Sequence, residues 1–332
     1  MMSGRRVVVT QRFFDDATIA YLEANGCEVV VADLPPGMAD GGLDHDALVE
    51  TVRGAAGWIV GHARVTRELM TALPELQVIS RRGVGYERVD LEAARDLGRV
   101  VCIAVGGNDA TVADHAVALM LAVGHRFRET QERMIAGDFA ILTGNDLFEK
   151  AVGIVGMGRI GRSLARRLQG FDCRILASTR AGLSDAAPPG VEWVDLDTLV
   201  RESDYISIHA PLTDETRFLF DATRIAQMKR SAYLINTARG GLVDDRALLH
   251  ALRNGVIAGA GLDVYVSESD PAMQEVTEAL IRLPNVVATP HSGASTHEGL
   301  ARTNMAAARS VVAVLDGRDP QPECVVADGR CK

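Results

Sequence analysis

Short apolar runs alternate with segments of helical periodicity through the first hundred residues of this chain. A short run rich in Val, Ile and Leu indicates a buried strand, and apolar residues at every third or fourth position indicate a helix. The predicted strands are Arg6–Thr10, Glu28–Ala32, Trp58–Val60, Leu76–Ser80 and Val100–Ala104, and the predicted helices are Asp15–Asn25, Asp44–Arg53, Thr66–Ala72 (capped by Thr66) and Leu91–Leu97. This alternation is typical of a doubly wound α/β fold.

The alternation resumes after a long apolar segment, Thr111–Arg128, which predicts one buried helix. Further strands are predicted at Val152–Val155, Cys173–Ala177, Val191–Val194, Tyr205–His209, Ala232–Asn236, Gly259–Val264 and Val286–Ala288. The helix predicted at Ser295–Leu315 is expected to return to the first domain. We therefore predict an α/β protein of two doubly wound domains. A Rossmann nucleotide-binding domain, residues 103–291, is inserted into a discontinuous flavodoxin-like substrate domain, residues 1–102 and 292–332.

A glycine turn stands between the strand Val152–Val155 and the next helical segment. Its G-x-G-x-x-G spacing, in the order strand, turn and helix, is the dinucleotide-binding pattern. Gly156 permits the tight turn, Gly158 lets the backbone approach a pyrophosphate, and Gly161 lets the helix pack closely on the strand. The N-terminus of the helix offers N–H groups to the phosphates. We predict cofactor binding by Gly156, Gly158, Arg159, Ile160 and Gly161.

The residues after the second strand of this domain indicate which dinucleotide binds. Ser178, Thr179 and Arg180 follow Cys173–Ala177, with no acidic residue among them. An Asp or Glu at this place accepts from the ribose hydroxyls of NAD and would repel a 2′-phosphate. Hydroxyls and a guanidinium suit that phosphate instead. We predict that NADP(H) is preferred, with NAD(H) as the alternative if Arg180 points into solvent.

Three polar residues stand just beyond predicted strands, where a doubly wound sheet presents its ligand groups. They are Arg239, Glu268 and His291. Together they suit the reduction of a 2-keto acid, because Arg can bind a carboxylate through paired N–H groups and His can donate a proton to the carbonyl oxygen. Glu268 would orient the imidazole and favour its charged form. Each residue taken alone is more often structural, so the prediction depends on all three.

Composition and charge exclude several classes of protein. The net charge of −9 argues against nucleic-acid binding, since no basic patch is present to meet phosphates. No apolar run approaches the length of a membrane span, and the residues before the first strand lead us to expect no signal sequence. Five cysteines without C-x-x-C spacing indicate reduced thiols and no metal site. A cytoplasmic enzyme with a small-molecule substrate is therefore expected.

The chain resembles the D-isomer-specific 2-hydroxyacid dehydrogenase family, in particular its glyoxylate/hydroxypyruvate reductase-like members. The resemblance covers nearly the whole chain. The segments that carry it are Gly83–Asp90, Val112–His115, Val155–Gly161, His209–Thr213, Asn236–Gly241, Gly261–Tyr265 and Thr289–Gly293.

This resemblance implies the roles already proposed and adds others. Arg239 would bind the substrate and polarise its carbonyl group, Glu268 would pair with His291, and His291 would be the acid/base. The backbone N–H groups of Val84 and Gly85 would receive the substrate carboxylate. The further residues expected to line the cofactor are His209, Pro211, Thr237, Ala238, Gly293 and Asp263, the last holding the nicotinamide carboxamide. A homodimer joined through the Thr111–Arg128 region is also implied.

Some positions depart from the family pattern. Ser178 stands where NAD-using members carry an acid, Ser269 where Pro is common, and Asp114 where Glu is usual. Arg64 is the one arginine in the segment where phosphoglycerate-type members place several. A phosphoglycerate- or phosphite-type dehydrogenase stays open as an alternative, as does a dinucleotide-sensing protein like the family's corepressors. Formate-type members pair the His with Gln, and Glu268 argues against that reaction.

Overall fold

A computed structural model describes residues 5–35, 38–179 and 188–330. The chain forms two compact units. The first comprises Met1–Asn108 and Thr296–Lys332, and the second comprises Asp109–Ser295. Each unit is built on one β-sheet.

The sheet of the first unit has six strands, which are β1 Arg5–Val9, β2 Cys27–Val31, β3 Gly57–Val60, β4 Val78–Arg81, β5 Val100–Ile103 and β13 Val325–Asp328. Their order across the sheet is β13-β5-β4-β3-β1-β2. Strands β1 to β5 are parallel, and β13 runs antiparallel to β5. Val8 of β1 packs into one hydrophobic cluster while Val7 and Val9 pack into another, so the sheet is covered on both faces.

Helices cover both faces of this sheet. Their bounds are α1 Asp16–Ala24, α2 His45–Val52, α3 Arg67–Ala72, α4 Leu91–Asp96 and α12 His297–Leu315. Apolar residues of α1 and α12 pack on one face, and those of α2, α3 and α4 on the other. The predicted cap is confirmed, because the Thr66 side chain accepts a hydrogen bond from the Leu69 N–H.

The second unit contains a parallel sheet of seven strands, which are β6 Ala151–Val155, β7 Arg174–Ser178, β8 Val191–Trp193, β9 Tyr205–Ile208, β10 Tyr233–Asn236, β11 Gly259–Leu262 and β12 Val286–Ala288. Their order is β12-β11-β10-β9-β6-β7-β8. Because all run in one direction, the carboxyl ends of these strands lie along a single edge of the sheet. The predicted doubly wound α/β fold is confirmed in both units.

The second unit contains seven described α-helices. They are α5 Asp109–Gly124, α6 Phe127–Ile135, α7 Arg159–Leu168, α8 Leu196–Glu202, α9 Ala222–Ala226, α10 Asp245–Arg253 and α11 Gln274–Ile281. Residues of α5 and α7 share one core, and residues of α8 to α11 share the other.

The prediction of one continuous helix over Thr111–Arg128 is wrong. Helix α5 ends at Gly124, and α6 begins at Phe127. Between them Arg126 has a φ of +56°, in the left-handed region that a right-handed helix cannot include. The two helices therefore present separate surfaces.

The unit boundaries lie a few residues beyond the predicted domain boundaries. Ala104 stays with the first unit because its N–H donates to the carbonyl of Gly83. Ser292 and Gly293 stay with the second unit because their N–H groups donate to the carboxylate of Asp263. Short polar contacts thus set the boundary where the apolar pattern of the chain does not mark one.

Candidate active site

Three adjacent strands of the second unit carry the predicted catalytic residues at their carboxyl ends. Arg239 follows β10, Glu268 lies in a single helical turn after β11, and His291 follows β12. Since β10, β11 and β12 are neighbours in the sheet, the three residues emerge side by side at one edge.

Glu268 and His291 form a close pair. The Oε2 atom of Glu268 lies 2.6 Å from Nδ1 of His291, and its Oε1 atom accepts from the Tyr265 N–H at 2.9 Å. Burial raises the pKa of Glu268, but the hydrogen bond and charge of His291, the Tyr265 N–H and the charge of Arg239 together hold it below the ordinary value. The ionised carboxylate therefore fixes the Nδ1 side of the imidazole.

The loop that carries Arg239 is held by Asn236, a buried residue at the end of β10. The Asn236 side chain donates to the carbonyl of Arg239 at 2.9 Å and accepts from the Ala238 N–H at 3.1 Å. A Cβ atom on Gly240 would lie 2.1 Å from the carbonyl carbon of Tyr265. The Arg239 loop consequently abuts the turn that presents Glu268, and no larger residue fits at position 240.

Asp263 organises the loop that carries His291. Its carboxylate accepts from the Thr289 hydroxyl at 2.6 Å and from the Ser292 and Gly293 N–H groups at 2.8 and 2.9 Å. Burial raises the pKa of Asp263, but these bonds and one from His115 hold it below the ordinary value. Asp263, which is expected to hold the nicotinamide carboxamide, thus accepts hydrogen bonds within the protein through both carboxylate oxygens.

His291 itself has a φ of +51°. Its N–H donates to the carbonyls of Asp263 and Thr289 at 2.8 and 3.1 Å. A left-handed backbone is uncommon outside glycine, although His adopts it more readily than branched residues do. The backbone of the loop therefore determines where the imidazole lies.

The predicted phosphate-binding turn follows β6. Gly156 has a φ of +97°, and a Cβ atom on Gly161 would lie 2.2 Å from the Gly156 carbonyl oxygen. Gly158 has open space around its Cα and precedes α7, whose N-terminus no side chain caps. Arg159 and Ile160 form the first turn of α7. This end of the helix can therefore receive an anion.

Ser178 is the last residue of β7, and its carbonyl accepts from the Gly156 N–H at 2.8 Å. Ser178 and Thr179 are both half-buried beside the glycine turn. Arg180, the third residue of the predicted 2′-phosphate contact, lies outside the described residues. The two described positions present hydroxyl groups and no carboxylate.

Two buried polar atoms along this edge have no hydrogen-bond partner among the described residues. They are Nδ1 of His209, after β9, and the hydroxyl of Thr237, after β10. Burial lowers the pKa of His209 to about 4, so its ring is neutral, and Nε2 lies 2.9 Å from the Ser207 hydroxyl. A bound polar ligand would supply hydrogen-bond partners to these buried atoms, as we expect for residues that line a dinucleotide.

Pro211 and Ala238 complete the predicted cofactor set. Pro211 is exposed, and its carbonyl accepts from the Thr216 hydroxyl at 2.7 Å. The carbonyl of Ala238 accepts from the Arg239 guanidinium at 2.7 Å.

In the first unit, the loop after β4 contains Val84 and Gly85. The carbonyl of Gly83 accepts from the Ala104 N–H, and that of Gly85 accepts from the buried Arg81 side chain at 3.0 Å. In the described part of the chain, the N–H groups of Val84 and Gly85 donate to no other group. The loop is thus fixed with two adjacent donors available to a carboxylate.

Sequence reasoning missed several residues that hold these loops. Asn236 and Arg81 stand at the ends of apolar strands, and a polar residue in such a place was the available signal. His115, on α5, lies 2.9 Å from the Thr289 hydroxyl through Nε2 and had no comparable signal.

Other potential sites are not supported. Within the described ranges no group of three or more His, Cys, Asp or Glu side chains could hold a metal ion. Cys27, Cys102, Cys173 and Cys324 are free thiols, and Cys331 lies outside the described residues. No described helix has the length and apolar character needed to span a membrane.

A parallel sheet that carries an open glycine turn and a Glu–His pair along the same edge is typical of a dinucleotide-dependent oxidoreductase. Comparison with known proteins narrows this class. Residues 117–293 match the family model described as "D-isomer specific 2-hydroxyacid dehydrogenase, NAD binding domain". The chain belongs to the D-isomer specific 2-hydroxyacid dehydrogenase family.

Relatives with assigned activities agree with this placement. The chain is 41% identical over 265 residues to glyoxylate reductase of Thermofilum pendens, with 77% of each chain covered. It is 37% identical over 266 residues to hydroxypyruvate reductase of Thermotoga maritima, covering 79% of this chain and 86% of that protein. Among solved structures, the TT0316 protein of Thermus thermophilus has a TM-score of 0.84 at 36% identity, covering 97% of this chain and 100% of that one.

Proposed function

We propose that the protein catalyses the NADPH-dependent reduction of a small 2-keto acid, of the glyoxylate or hydroxypyruvate type, to the D-2-hydroxy acid, and the reverse reaction. The observation that carries this proposal is the 2.6 Å pair of Glu268 and His291, with the charge of Arg239 close enough to lower the pKa of Glu268. The names of the relatives from Thermofilum pendens and Thermotoga maritima favour these two substrates.

In this proposal each residue has one task. The dinucleotide, when bound, would supply hydride chemistry to the substrate carbon. Glu268 occupies Nδ1 of His291, so the proton for the carbonyl oxygen is held at Nε2 of the imidazole. Arg239 binds the substrate carboxylate and polarises the carbonyl group. The N–H groups of Val84 and Gly85 are proposed as further donors to that carboxylate.

The cofactor contacts are proposed along the carboxyl edge of the second sheet. Gly156, Gly158 and Gly161 would meet the pyrophosphate, together with the first turn of α7 at Arg159 and Ile160. The rest of the dinucleotide would be lined by backbone and side-chain atoms of six residues farther along the edge: His209, Pro211, Thr237, Ala238, Asp263 and Gly293. The orphaned atoms of His209 and Thr237 support this arrangement.

The preference for NADP(H) is proposed from Ser178 and Thr179. Both are half-buried beside the glycine turn, and neither would repel a 2′-phosphate. Arg180 is proposed to add its guanidinium to the same contact. Equal KM values for NADPH and NADH would refute this preference.

A homodimer is proposed through an apolar surface that begins at α6. Six large apolar side chains between residues 127 and 148 are strongly exposed, and the first four share one groove: Phe127, Met134, Ile135, Phe139, Ile141 and Phe148. Most residues of α5 are buried or half-buried, so the exposed apolar surface lies mainly beyond the region predicted from the sequence. Exposed apolar surface of this kind marks an interaction site, and a second copy of the chain is proposed to cover it.

The deciding experiment follows the loss of nicotinamide absorbance with NADPH or NADH. The test substrates are glyoxylate, hydroxypyruvate, pyruvate, phenylpyruvate, 2-ketogluconate and 3-phosphohydroxypyruvate. His291→Ala should lower kcat about 10²- to 10⁴-fold, the usual contribution of general acid catalysis. If the wild-type protein binds NADPH but reduces no keto acid, the proposal is wrong, and phosphite oxidation and dinucleotide sensing become the functions to test.

A further inference from the structure

Asp245 is a buried carboxylate close to the candidate site. It lies in the first turn of α10 and is 3% exposed. Its Oδ2 atom accepts from the Val266 N–H at 3.0 Å. Val266 begins the short helical turn Val266–Glu268, so Asp245 holds the first residue of the turn that ends in Glu268.

Two carboxylates hold consecutive N–H groups of this turn. Glu268 accepts from Tyr265, and Asp245 accepts from Val266. The backbone of Gly240 also packs against the Tyr265–Val266 peptide, since a Cβ atom there would lie 2.5 Å from the Val266 nitrogen. The turn therefore contacts both α10 and the Arg239 loop, and Asp245 makes its hydrogen bond to α10.

The charges around Asp245 make its ionised form costly. Burial raises the pKa of Asp245 to about 6, the Val266 N–H opposes that rise, and the charges of Asp244 and Glu268 add to it. Tyr265, whose own pKa is raised mainly by burial, also feels the charge of Asp245. Above pH 6 the ionised Asp245 carboxylate accepts a charge-assisted hydrogen bond from the Val266 N–H. Below pH 6 the protonated carboxyl group accepts a weaker, neutral hydrogen bond.

We propose that ionised Asp245 is a positioning residue that holds the Val266–Glu268 turn so that Glu268 meets His291. The inference rests on the proposed function of that pair. It predicts an acid limb in kcat for keto-acid reduction near pH 6. His291 does not account for this limb, because a proton donor becomes more available as the pH falls.

The first test is the pH profile of Asp245→Asn between pH 5 and 8. The amide can still accept from Val266 but neither carries a charge nor titrates, so the variant should resemble the wild-type protein at low pH. We expect kcat at pH 7.5 to fall about five- to tenfold, as for loss of a charge-assisted bond, and the limb near pH 6 to disappear, with little change in the KM for NADPH. Asp221→Asn, an exposed cap of α9, is the matched control and should keep the limb.

The second test combines Asp245→Asn with Glu268→Gln. If Asp245 acts through Glu268, the double variant should be no slower than Glu268→Gln alone. If the two losses multiply, or if the limb persists in Asp245→Asn, the proposal is overturned. Should Asp245→Asn fold poorly, Glu268→Gln by itself carries the test, because it should greatly reduce the fall of kcat below pH 6.

A third measurement does not depend on turnover, so it separates this inference from the proposed function. The His291 Nδ1 proton, held in the 2.6 Å bond to Glu268, should give a low-field proton resonance. We expect the resonance to weaken below pH 6 in the wild-type protein and to be weak at every pH in Asp245→Asn. An unchanged resonance in the variant would overturn the role of Asp245, whether or not a keto acid is reduced.

Discussion

Replacing Glu268 with Gln tests the central pair by exchanging a single carboxylate oxygen for an NH₂ group. Glu268 uses both oxygens as acceptors, one for the Tyr265 N–H and one for Nδ1 of His291. Gln has one oxygen, so one of the two donors must face its NH₂ group. The variant therefore loses the negative charge and one of the two hydrogen bonds with almost no change in shape.

The expected loss follows from the geometry. Hydrogen bonds to charged groups contribute about 1.5–3 kcal/mol. Solvent screens this pair, because the side chains of His291 and Glu268 are 36% and 35% exposed. We therefore take the lower end, about 1.5–2 kcal/mol, which corresponds to a roughly 10- to 30-fold fall in kcat.

The assay is steady-state reduction of hydroxypyruvate with NADPH across pH 5 to 9. Glu275→Gln, an exposed residue at the start of α11, is the matched control. A kcat of Glu268→Gln within twofold of wild type would refute the role assigned to the pair.

Four further outcomes are expected. Gly161→Ala should raise the KM for NADPH, measured by steady-state kinetics, at least about tenfold, because the new Cβ would lie 2.2 Å from the Gly156 carbonyl oxygen. Ser178→Asp should raise the KM for NADPH relative to NADH by about tenfold, since a carboxylate repels the 2′-phosphate. Asp263→Asn should lower the unfolding free energy by about 1–3 kcal/mol in denaturant titrations, because an amide cannot accept all the bonds that the buried carboxylate accepts. Ile141→Asp, at a side chain 96% exposed, should give a monomer by light scattering.

Matched variants control for non-specific damage. Gly170→Ala places a Cβ in open space in the same unit and should leave the KM for NADPH unchanged. An equal effect of Gly170→Ala and Gly161→Ala would contradict the steric argument. If Ser178→Asp leaves the ratio of the KM values for NADPH and NADH unaltered, the 2′-phosphate does not lie near Ser178. If light scattering shows that the wild-type protein is a monomer, the dimer proposal is wrong.

Local chemistry made much of the second unit predictable. The strand Ala151–Val155 and its glycine turn are encoded within a dozen consecutive residues. In the first unit the helix cap at Thr66 is also encoded locally, since its partner is the Leu69 N–H three residues on. The break at Arg126 was not predictable, because no glycine or asparagine marks the left-handed residue. Strand Val325–Asp328 was missed because its pairing with β5 joins segments more than two hundred residues apart.

In the candidate site, too, some residues are marked by the local sequence and others depend on distant segments. Arg239, Glu268 and His291 could be found as polar residues beyond apolar strands, and the structure brings Glu268 and His291 into contact. Among the residues that support them, Asn236 carries the same signal at the end of β10, but His115 and Asp245 do not. Asn236 acts within its own loop, whereas His115 and Asp245 act across long separations in sequence, on Thr289 and Val266. Neither contact leaves a mark in the local pattern.

Strand β12 has a consequence for how the protein loses activity on heating. It has three residues, lies at the edge of its sheet and pairs with β11 alone among the described strands. Short edge elements open locally at a lower free energy than the core does. Since His291 follows β12, such an opening would separate this proposed proton donor from Glu268 while the remaining strands stay paired. Thermal inactivation should therefore precede the melting of the domain, and amide exchange at Val286–Ala288 should be faster than at Tyr233–Asn236.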